Sequence, residues 1–254
     1  MMRTNIIPKN ILQFWHDKQT FPAIYQQARQ QNQEKHPDFT FYYLDDAEIE
    51  RILQKKFHPC LLELYRANRI PASRSDIARL ITLYEYGGFY LDMSFVLHRP
   101  LTTLIDTNSQ IYLVKRDDMP RYQDCPHAAH IYNGFLGAVP HSPFIYACLL
   151  TIINNLLAGH YNQNVLEATG PFAINQVFQK TDKKRINVLS LKALKENFLT
   201  HLNIQGVRQS WVSLQEQGII DTQQLSELQR KYPPMTALHS PSWLTRLLKQ
   251  IPYR

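Results

Sequence analysis

The sequence has few charged residues, few cysteines and no long apolar run, and each shortage excludes a class of protein. Only 19% of the 254 residues are charged, whereas 44% are hydrophobic and 11% are aromatic. Disordered chains combine low hydrophobicity with high charge, so this composition predicts a folded globular protein. The length is compatible with one α/β domain, and we expect residues 1–254 to form a single domain.

Membrane-spanning and disulfide-linked architectures are disfavoured by the same shortages. The longest apolar run, 145–157, contains two asparagines and is shorter than the roughly 20 residues that span a bilayer. No signal-peptide apolar region follows the N-terminal methionines, which favours a cytoplasmic location. Cys60, Cys125 and Cys148 form no Cys-x-x-Cys pair, so we expect buried thiols and neither a zinc nor a redox site.

Positive charge is in excess, with a formal net charge of +7. Such a balance favours an acidic partner, which the charge alone leaves open among phosphorylated small molecules, anionic lipids and nucleic acid. The aromatic residues follow strand and helix patterns, so we do not expect nucleic-acid binding. Residues 243–254 mix aromatic and aliphatic side chains with arginine and lysine, which predicts a short basic amphipathic tail capable of peripheral membrane contact.

Strand and helix patterns alternate along the chain. The predicted strands are 11–15, 39–44, 89–91, 110–115, 131–139, 186–189 and 235–238. The predicted helices are 23–33, 45–57, one that is capped by Ser73 and Asp76 and ends at Gly87, 142–158, 170–180 and 221–231. Asp45 and Glu48 form a capping-box pattern at the start of the second helix. This alternation predicts an α/β fold with a mostly parallel central sheet flanked by helices.

The segment from Ser73 to Ser94 carries the residues best suited to chemistry. Asp76 and Arg79 are three residues apart, so a helix would place both side chains on one edge. Asp92 follows a short apolar strand, where a buried carboxylate must be paired, hydrogen-bonded or bound to a metal. Without further context, however, an aspartate and an arginine at this spacing form a surface ion pair more often than a site.

The residues of this segment resemble a known family. From Ser75 onward the sequence matches S-D-x-x-R-x-x-x-L-x-x-x-G-G-x-Y-L-D, the core of the sugar transferases with a DXD motif, glycosyltransferase family 32. That family includes bacterial capsular-polysaccharide and lipooligosaccharide transferases and yeast-type initiating mannosyltransferases, and clostridial glucosylating toxins share its core. Four other stretches are also similar to family elements: 7–15, 133–144, 169–171 and 239–243.

The resemblance implies a GT-A fold, a nucleotide-diphosphate sugar as donor and transfer with retention of anomeric configuration. The catalytic residues that it implies are Asp76, Arg79 and Asp92. The donor-binding residues are Trp15, which would stack on the nucleobase, Tyr90, Asn133, Ser242 and Trp243. The metal ligands, for Mn²⁺ or Mg²⁺, are Asp92, Ser94 and His239.

Ser94 departs from the family pattern, because the second aspartate of the motif is expected at this position. A neutral hydroxyl is a weaker ligand than a carboxylate for a hard cation. The sequence therefore leaves three possibilities open: metal held by fewer protein ligands, basic residues in place of metal, or lost activity. His239 is also compatible with a plain strand-end histidine, and Asp117-Asp118, His127 and His130 are interpreted as loop residues.

These expectations combine into a functional hypothesis. The protein is predicted to be a retaining hexosyltransferase that uses a nucleotide-diphosphate sugar, with UDP-hexose favoured by analogy. Its acceptor would be a saccharide or glycolipid in bacterial capsule, surface polysaccharide or lipopolysaccharide biosynthesis. The alternative is a catalytically weakened nucleotide-sugar-binding protein, because Ser94 replaces the second aspartate.

Overall fold

The structure, a computed structural model, describes residues 6–117, 131–202 and 209–236. Its strands are β1 (Asn10–Phe14), β2 (Thr40–Leu44), β3 (Gly88–Leu91), β4 (Phe95–Leu97), β5 (Ile111–Lys115), β6 (Ile131–Ala138), β7 (Ile186–Ser190) and β8 (Leu199–His201). Its α-helices are α1 (Ala23–Lys35), α2 (Asp46–Lys56), α3 (Pro59–Ala67), α4 (Pro71–Tyr86), α5 (Pro143–Ala158), α6 (Val165–Ala168), α7 (Pro171–Lys180), α8 (Leu191–Asn197), α9 (Gln209–Gln215) and α10 (Thr222–Lys231).

Six strands form the central sheet, in the order β2-β1-β3-β6-β5-β7. The β1–β2, β1–β3 and β5–β7 pairs are parallel, whereas β6 runs antiparallel to both β3 and β5. Strand β6 is thus the one reversed strand of a mostly parallel sheet in the described part of the chain. The α/β fold class expected from the alternating patterns is confirmed.

Both faces of the sheet are covered. Along β1, Leu12 and Phe14 face a large core made with α2 to α5, α7 and α10, whereas Ile11 faces a smaller one. The smaller core lies beneath α8 and a two-stranded antiparallel ribbon of β4 and β8. Alternate residues of a strand point to opposite faces, so a strand buried on both faces reads as a continuous apolar run.

Local capping signals explain how the strands pass into helices. Asp45 and Glu48 exchange the two hydrogen bonds of a capping box at the start of α2, as the sequence predicts. The predicted cap of α4 is wrong, because this helix begins at Pro71 and places Ser73 and Asp76 in its interior. Proline suits the first helical position, where its missing N–H leaves no intrahelical bond unmade.

The glycine pair after α4 turns the chain into β3. Gly87 ends the helix at φ 61°, a left-handed conformation that glycine adopts without strain. A Cβ on Gly88 would lie 2.5 Å from the backbone oxygen of Asn10 on β1. Both glycines are therefore required for β3 to pair directly beside β1.

The other sequence-based predictions have mixed outcomes. The predicted strands and helices up to residue 231 are found within one or two residues at most ends, but the short elements β4, β8, α6, α8 and α9, and the nine-residue helix α3, were not predicted. Met235 lies outside any strand, contrary to prediction, and 237–238 lie outside the described residues. Cys60 and Cys148 are buried free thiols as expected, whereas Cys125 and the predicted tail 243–254 are outside the described residues. Among the described helices, none has the length and apolar character needed to cross a membrane.

Candidate functional site

The buried face of α4 carries the central charged pair of the site. Asp76 is 6% exposed and Arg79 is 5% exposed, and Arg79 Nη2 lies 3.1 Å from Asp76 Oδ1. The interpretation of this pair as a surface ion pair is therefore wrong. Two charges removed from water are tolerated only when each is paired and hydrogen-bonded, so the surrounding polar groups decide whether the pair is stable.

Both carboxylate oxygens of Asp76 have donors. Asn133 of β6 donates from Nδ2 to Oδ1 at 2.9 Å, and Thr169 donates from Oγ1 to Oδ2 at 3.0 Å. Burial raises the pKa of Asp76 to about 6, although Arg79, Thr169 and Asn133 each favour the ionised form. The carboxylate is thus held in one orientation and is ionised at neutral pH.

The guanidinium of Arg79 is fixed on several sides. Its Nη1 donates to the backbone oxygen of Asn133 at 2.5 Å, and its Nε and Nη2 donate to the backbone oxygen and Oγ of Ser75. The carbon Cζ lies 4.9 Å above the ring centre of Tyr90, a cation–π geometry. Burial opposes the charge, but Tyr90, Asp76 and Asp92 outweigh it and raise the pKa of Arg79.

Asp92 lies directly after β3, at the carboxyl end of the strand. Its side chain is 32% exposed and its Oδ1 is 3.7 Å from Arg79 Nη2. The expectation of a buried carboxylate is therefore wrong for Asp92; the buried carboxylate is Asp76. A Cβ on Gly134 would lie 2.5 Å from Asp92 Oδ2, so the glycine leaves this oxygen open space beside β6.

The described residues do not by themselves fit a metal centre. No group of three His, Cys, Asp or Glu side chains suited to a metal ion occurs within them. Asp76 is already occupied by its three donors, which leaves the carboxylate of Asp92 and the hydroxyl of the 8%-exposed Ser94. A hard cation takes six or more oxygen ligands, of which substrate phosphates and water often supply most, so Asp92 and Ser94 would provide only part of its coordination, and His239 lies outside the described residues.

Trp15 lies in a neighbouring cluster at the carboxyl ends of β1 and β2. Its ring packs edge-on against Phe21 and Tyr25 at 5.8 and 5.5 Å between centres. Several buried polar atoms here have no hydrogen-bond partner: Trp15 Nε1, Tyr43 Oη, Arg29 Nε and both amide atoms of Gln13. Unpaired buried polar atoms are rare in folded proteins, so this cluster is incompletely satisfied.

The structure brings most of the predicted site residues together. Asp76, Arg79, Asn133 and Asp92 converge at one edge of the sheet, and Tyr90 lies buried beneath Arg79. Trp15 packs against Tyr25, and burial and the charge of Asp92 raise the pKa of Tyr25. Ser242, Trp243 and His239 lie outside the described residues, as do Asp118, His127 and His130. The loop interpretation of Asp117 agrees with its acceptance of the Lys192 backbone N–H at 3.0 Å.

Sequence reasoning missed several residues that shape the site. Ser75 and Thr169 hydrogen-bond to the charged pair, and Tyr132 lies beside Gly134 near Asp92. Ser75 and Thr169 lie inside the motifs that resemble the family, and this position could have indicated that they belong to the site. Tyr132 carried none, because only the β3–β6 pairing brings it here.

The charge of the site limits what it can bind. Two carboxylates and one guanidinium leave a net charge of about −1, and Asp92 is the exposed member. Carboxylates accept hydrogen bonds from hydroxyl groups, whereas the donors of Arg79 are largely occupied by protein acceptors. This arrangement suits a polyhydroxyl ligand better than a bare phosphate.

Comparisons with known proteins agree with this geometry. Residues 22–111 match a family described as "Glycosyltransferase sugar-binding region containing DXD motif". These residues are similar to such a sugar-binding region. The matched range includes Asp76, Arg79, Tyr90, Asp92 and Ser94, so the resemblance seen in the sequence to the DXD-motif glycosyltransferases is confirmed.

Two curated relatives are similar to parts of the chain. The mannosyl phosphorylinositol ceramide synthase CSH1 of Saccharomyces cerevisiae is 27% identical over 182 residues, 69% of this chain and 43% of that protein. The initiation-specific α-1,6-mannosyltransferase of Candida albicans is 29% identical over 115 residues, 43% of this chain and 30% of that protein. The chain spans less than half the length of these relatives.

A solved structure supports the fold. The PaToxG glycosyltransferase matches 90% of this chain and 86% of its own with a TM-score of 0.55 and 16% identity. At that identity the likeness concerns the fold alone, and the GT-A fold implied by the motif is confirmed.

Proposed function

We propose that the protein is a glycosyltransferase that moves a hexose from a nucleotide-diphosphate sugar to a saccharide or glycolipid acceptor. The carrying observation is the oriented Asp76–Arg79–Asp92 cluster inside the DXD-type sugar-binding region. Its net negative charge and exposed carboxylate favour contact with sugar hydroxyl groups. The names of the relatives, which include several mannosyltransferases, favour mannose over the UDP-hexose predicted by analogy.

The reaction exchanges one bond for another at the anomeric carbon. The bond from this carbon to the diphosphate breaks, the acceptor oxygen bonds to the carbon, and the acceptor proton passes to the leaving phosphate. Asp76 is a poor nucleophile, because Arg79, Asn133 and Thr169 occupy its oxygens. We therefore propose attack by the acceptor hydroxyl on the face that the diphosphate leaves, which retains the configuration.

The role of Asp92 must be compatible with the negative charge that develops on the leaving diphosphate. Negative charge grows on the diphosphate as the bond breaks, and stabilising that charge is usually the largest catalytic contribution. The exposed carboxylate of Asp92 would repel it, so Asp92 must accept a sugar hydroxyl or share a cation with the diphosphate. In the second arrangement Mn²⁺ or Mg²⁺ would use ligands beyond Asp92 and Ser94.

The test is a transfer assay with purified protein. The donor panel contains GDP-mannose, UDP-glucose, UDP-galactose and UDP-N-acetylglucosamine, each with and without Mn²⁺, and the acceptors include simple glycosides and inositol-containing glycolipids. We expect one donor to be used, with retention seen by NMR of the product. An inverted product would refute the proposed same-face attack.

Matched variants separate the site from general effects on folding. Asp92→Asn is expected to reduce transfer about 10³-fold, as typical of a lost electrostatic contribution. Asp182→Asn, at a carboxylate whose side chain is 71% exposed, should leave transfer unchanged. Tight donor binding by wild type with no transfer to any acceptor would favour the alternative, a nucleotide-sugar-binding protein weakened by Ser94.

A further inference from the structure

A chain of buried side chains runs from the residue that ends α3 to Asp76 of α4. Asn68 Nδ2 lies 2.7 Å from Ser73 Oγ, Ser73 Oγ lies 3.0 Å from Thr169 Oγ1, and Thr169 Oγ1 lies 3.0 Å from Asp76 Oδ2. Asn68, Ser73 and Thr169 are each at most 1% exposed. We name these three residues the relay.

The direction of every hydrogen bond in the relay follows from its two ends. The amide of Asn68 is oriented because its Oδ1 accepts the backbone N–H of Ile70 at 3.1 Å, which leaves Nδ2 to donate to Ser73. The Thr169 hydroxyl lies 3.0 Å from Asp76 Oδ2 and 3.3 Å from the backbone oxygen of Val165. The ionised carboxylate only accepts and is the nearer, charged acceptor, so Thr169 donates to Asp76. Since the single proton of Thr169 is then used, Ser73 must donate to Thr169.

Three hydroxyl and amide donors aligned in this way polarise one another. Each bond in a buried chain strengthens the next, because the local dielectric is low and water does not compete. The last donor of the chain, Thr169, occupies Oδ2 of Asp76, while Arg79 and Asn133 share Oδ1. Donors at both oxygens therefore favour one orientation of the carboxylate.

We propose that Asn68, Ser73 and Thr169 are positioning residues that orient the Asp76 carboxylate for the sugar of the donor. This inference rests on the proposed function, because it assigns the relay to the sugar half of the donor and not to the nucleotide half. Thr169 is the member that touches Asp76, and Ser73 and Asn68 act through it.

Thr169→Val and Thr169→Ser test the proposal at the point of contact. Valine keeps the shape and removes the hydroxyl, whereas serine keeps the hydroxyl. Affinity is measured by calorimetry for the nucleotide sugar used by the wild type and for the matching nucleoside diphosphate. We expect Thr169→Val to weaken nucleotide-sugar binding about 10-fold and to leave nucleoside-diphosphate binding unchanged, as a hydrogen bond to a charged group predicts. Thr169→Ser should restore affinity to within about twofold.

Thr82→Val is the matched control. Thr82 is a buried threonine of α4 whose hydroxyl donates to the backbone oxygen of Arg79 at 3.0 Å and makes no bond to Asp76. It should lower stability without separating the two affinities. Equal weakening of both ligands by Thr169→Val, or no weakening of either, would overturn the relay.

The outcomes for the relay and for the proposed function are distinct. If wild type binds neither nucleotide sugars nor nucleoside diphosphates, the proposed function fails. If wild type binds and transfers but Thr169→Val behaves like Thr82→Val, the relay alone fails. A folded state for each variant is checked by its denaturant unfolding curve, and Ser73→Ala, which removes the second donor of the chain, replaces Thr169→Val if that variant does not fold.

Discussion

Two neighbouring regions of the site treat buried polar atoms in opposite ways. Around Asp76, the polar atoms of Arg79, Asn133 and Thr169 are joined by hydrogen bonds. Around Trp15, the buried amide of Gln13 and the hydroxyl of Tyr43 have no partner. The first region is organised before any ligand arrives, whereas the second has polar groups that remain to be satisfied.

The two regions therefore differ in how ligand binding would change their entropy and their hydrogen bonding. A pre-formed network loses little entropy when a sugar binds, so its contribution is realised as affinity and geometry. An unsatisfied cluster costs stability in the free protein and gains hydrogen bonds only if water, rotation of a side chain or a ligand supplies them. We therefore expect mutations around Asp76 to change the affinity for the donor. Mutations in the Trp15 cluster should change the free energy of unfolding.

The largest expected effect is the pH dependence of nucleotide-sugar affinity, which tests the region around Asp76. Asp76 accepts hydrogen bonds freely at both oxygens only when ionised, and burial raises the pKa of Asp76 to about 6. Affinity should be constant above that pH and fall about 10-fold for each unit below it. Calorimetry from pH 8 to 5 measures this fall. Asp76→Asn should bind about 100-fold more weakly at pH 8. A pH dependence that survives in Asp76→Asn would assign the titration to another group.

Ser94→Asp tests whether residue 94, beside the more exposed Asp92, faces the donor. A second carboxylate near Asp92 adds a charged oxygen ligand for a hard cation. Donor affinity should then rise about 10-fold with Mn²⁺ and fall in EDTA, because two carboxylates repel the diphosphate when no cation lies between them. A variant that binds donor equally in both conditions would show that residue 94 does not face the donor.

Two buried amides provide the corresponding test of stability. Gln13 is 2% exposed with no partner, whereas Asn32 is fully buried, donates to Phe95 O at 2.7 Å and accepts from Leu97 N at 2.8 Å. Gln13→Met should raise the free energy of unfolding by about 1 kcal/mol, because it removes unpaired polar atoms at similar volume. Asn32→Leu should lower it by about 2 kcal/mol or more, because it leaves two backbone groups unpaired. Denaturant unfolding measures both, and similar losses in the two variants would contradict the assignment of Gln13.

The smallest expected effect involves His36, the residue that caps the end of α1. Its Nδ1–H donates to Asn32 O at 2.8 Å and its Nε2 accepts Leu101 N–H at 3.0 Å, so the folded state requires the neutral ring. Burial lowers the pKa of His36, despite the bond to Asn32. The unfolded state therefore binds the proton more readily. This stabilisation is present above the unfolded pKa of about 6.5 and is lost as pH falls below it.

Amide hydrogen exchange locates that loss. Protection of the Leu101 amide should decrease between pH 7 and 5 after correction for intrinsic rates. The Asp92 amide, which donates to Gly134 O at 2.9 Å in the organised region, is the internal reference and should keep its protection. Equal loss at both amides would indicate global unfolding in place of local opening.

The sequence predicted the parts of this structure that local rules determine. The capping box at Asp45, the helix end at Gly87 and the alternation of strands and helices depend on neighbouring residues. The start of α4 was misplaced because Ser73 fits a capping pattern, whereas Pro71 sets the helix start and a tertiary contact with Thr169 explains Ser73. The six short or unpredicted elements carry too few residues for a periodic pattern or depend on packing.

The candidate site was predictable only through motif resemblance. Spacing alone placed Asp76 beside Arg79, but their burial follows from the packing of α4 against the sheet and could not be read from a helix pattern. The partners Asn133 and Thr169 reach Asp76 through the reversed strand β6 and the segment before α7. Local sequence patterns do not predict which distant amide or hydroxyl group will hydrogen-bond to a given carboxylate.

The reversed strand β6 has a consequence for how the protein reaches its active form. Asp76 meets Asn133 across 57 residues of sequence and Thr169 across 93, so both contacts close long loops. Loop closure is costly in entropy and slow, and contacts of high sequence separation form after local ones during folding. Helix α4 can form early with Asp76 and Arg79 already in place, but the carboxylate gains its orientation only once β6 has inserted between β3 and β5. Completion of the candidate site is therefore a late event in folding, and a chain interrupted before Thr169 would contain the whole of the matched range 22–111 without a finished site.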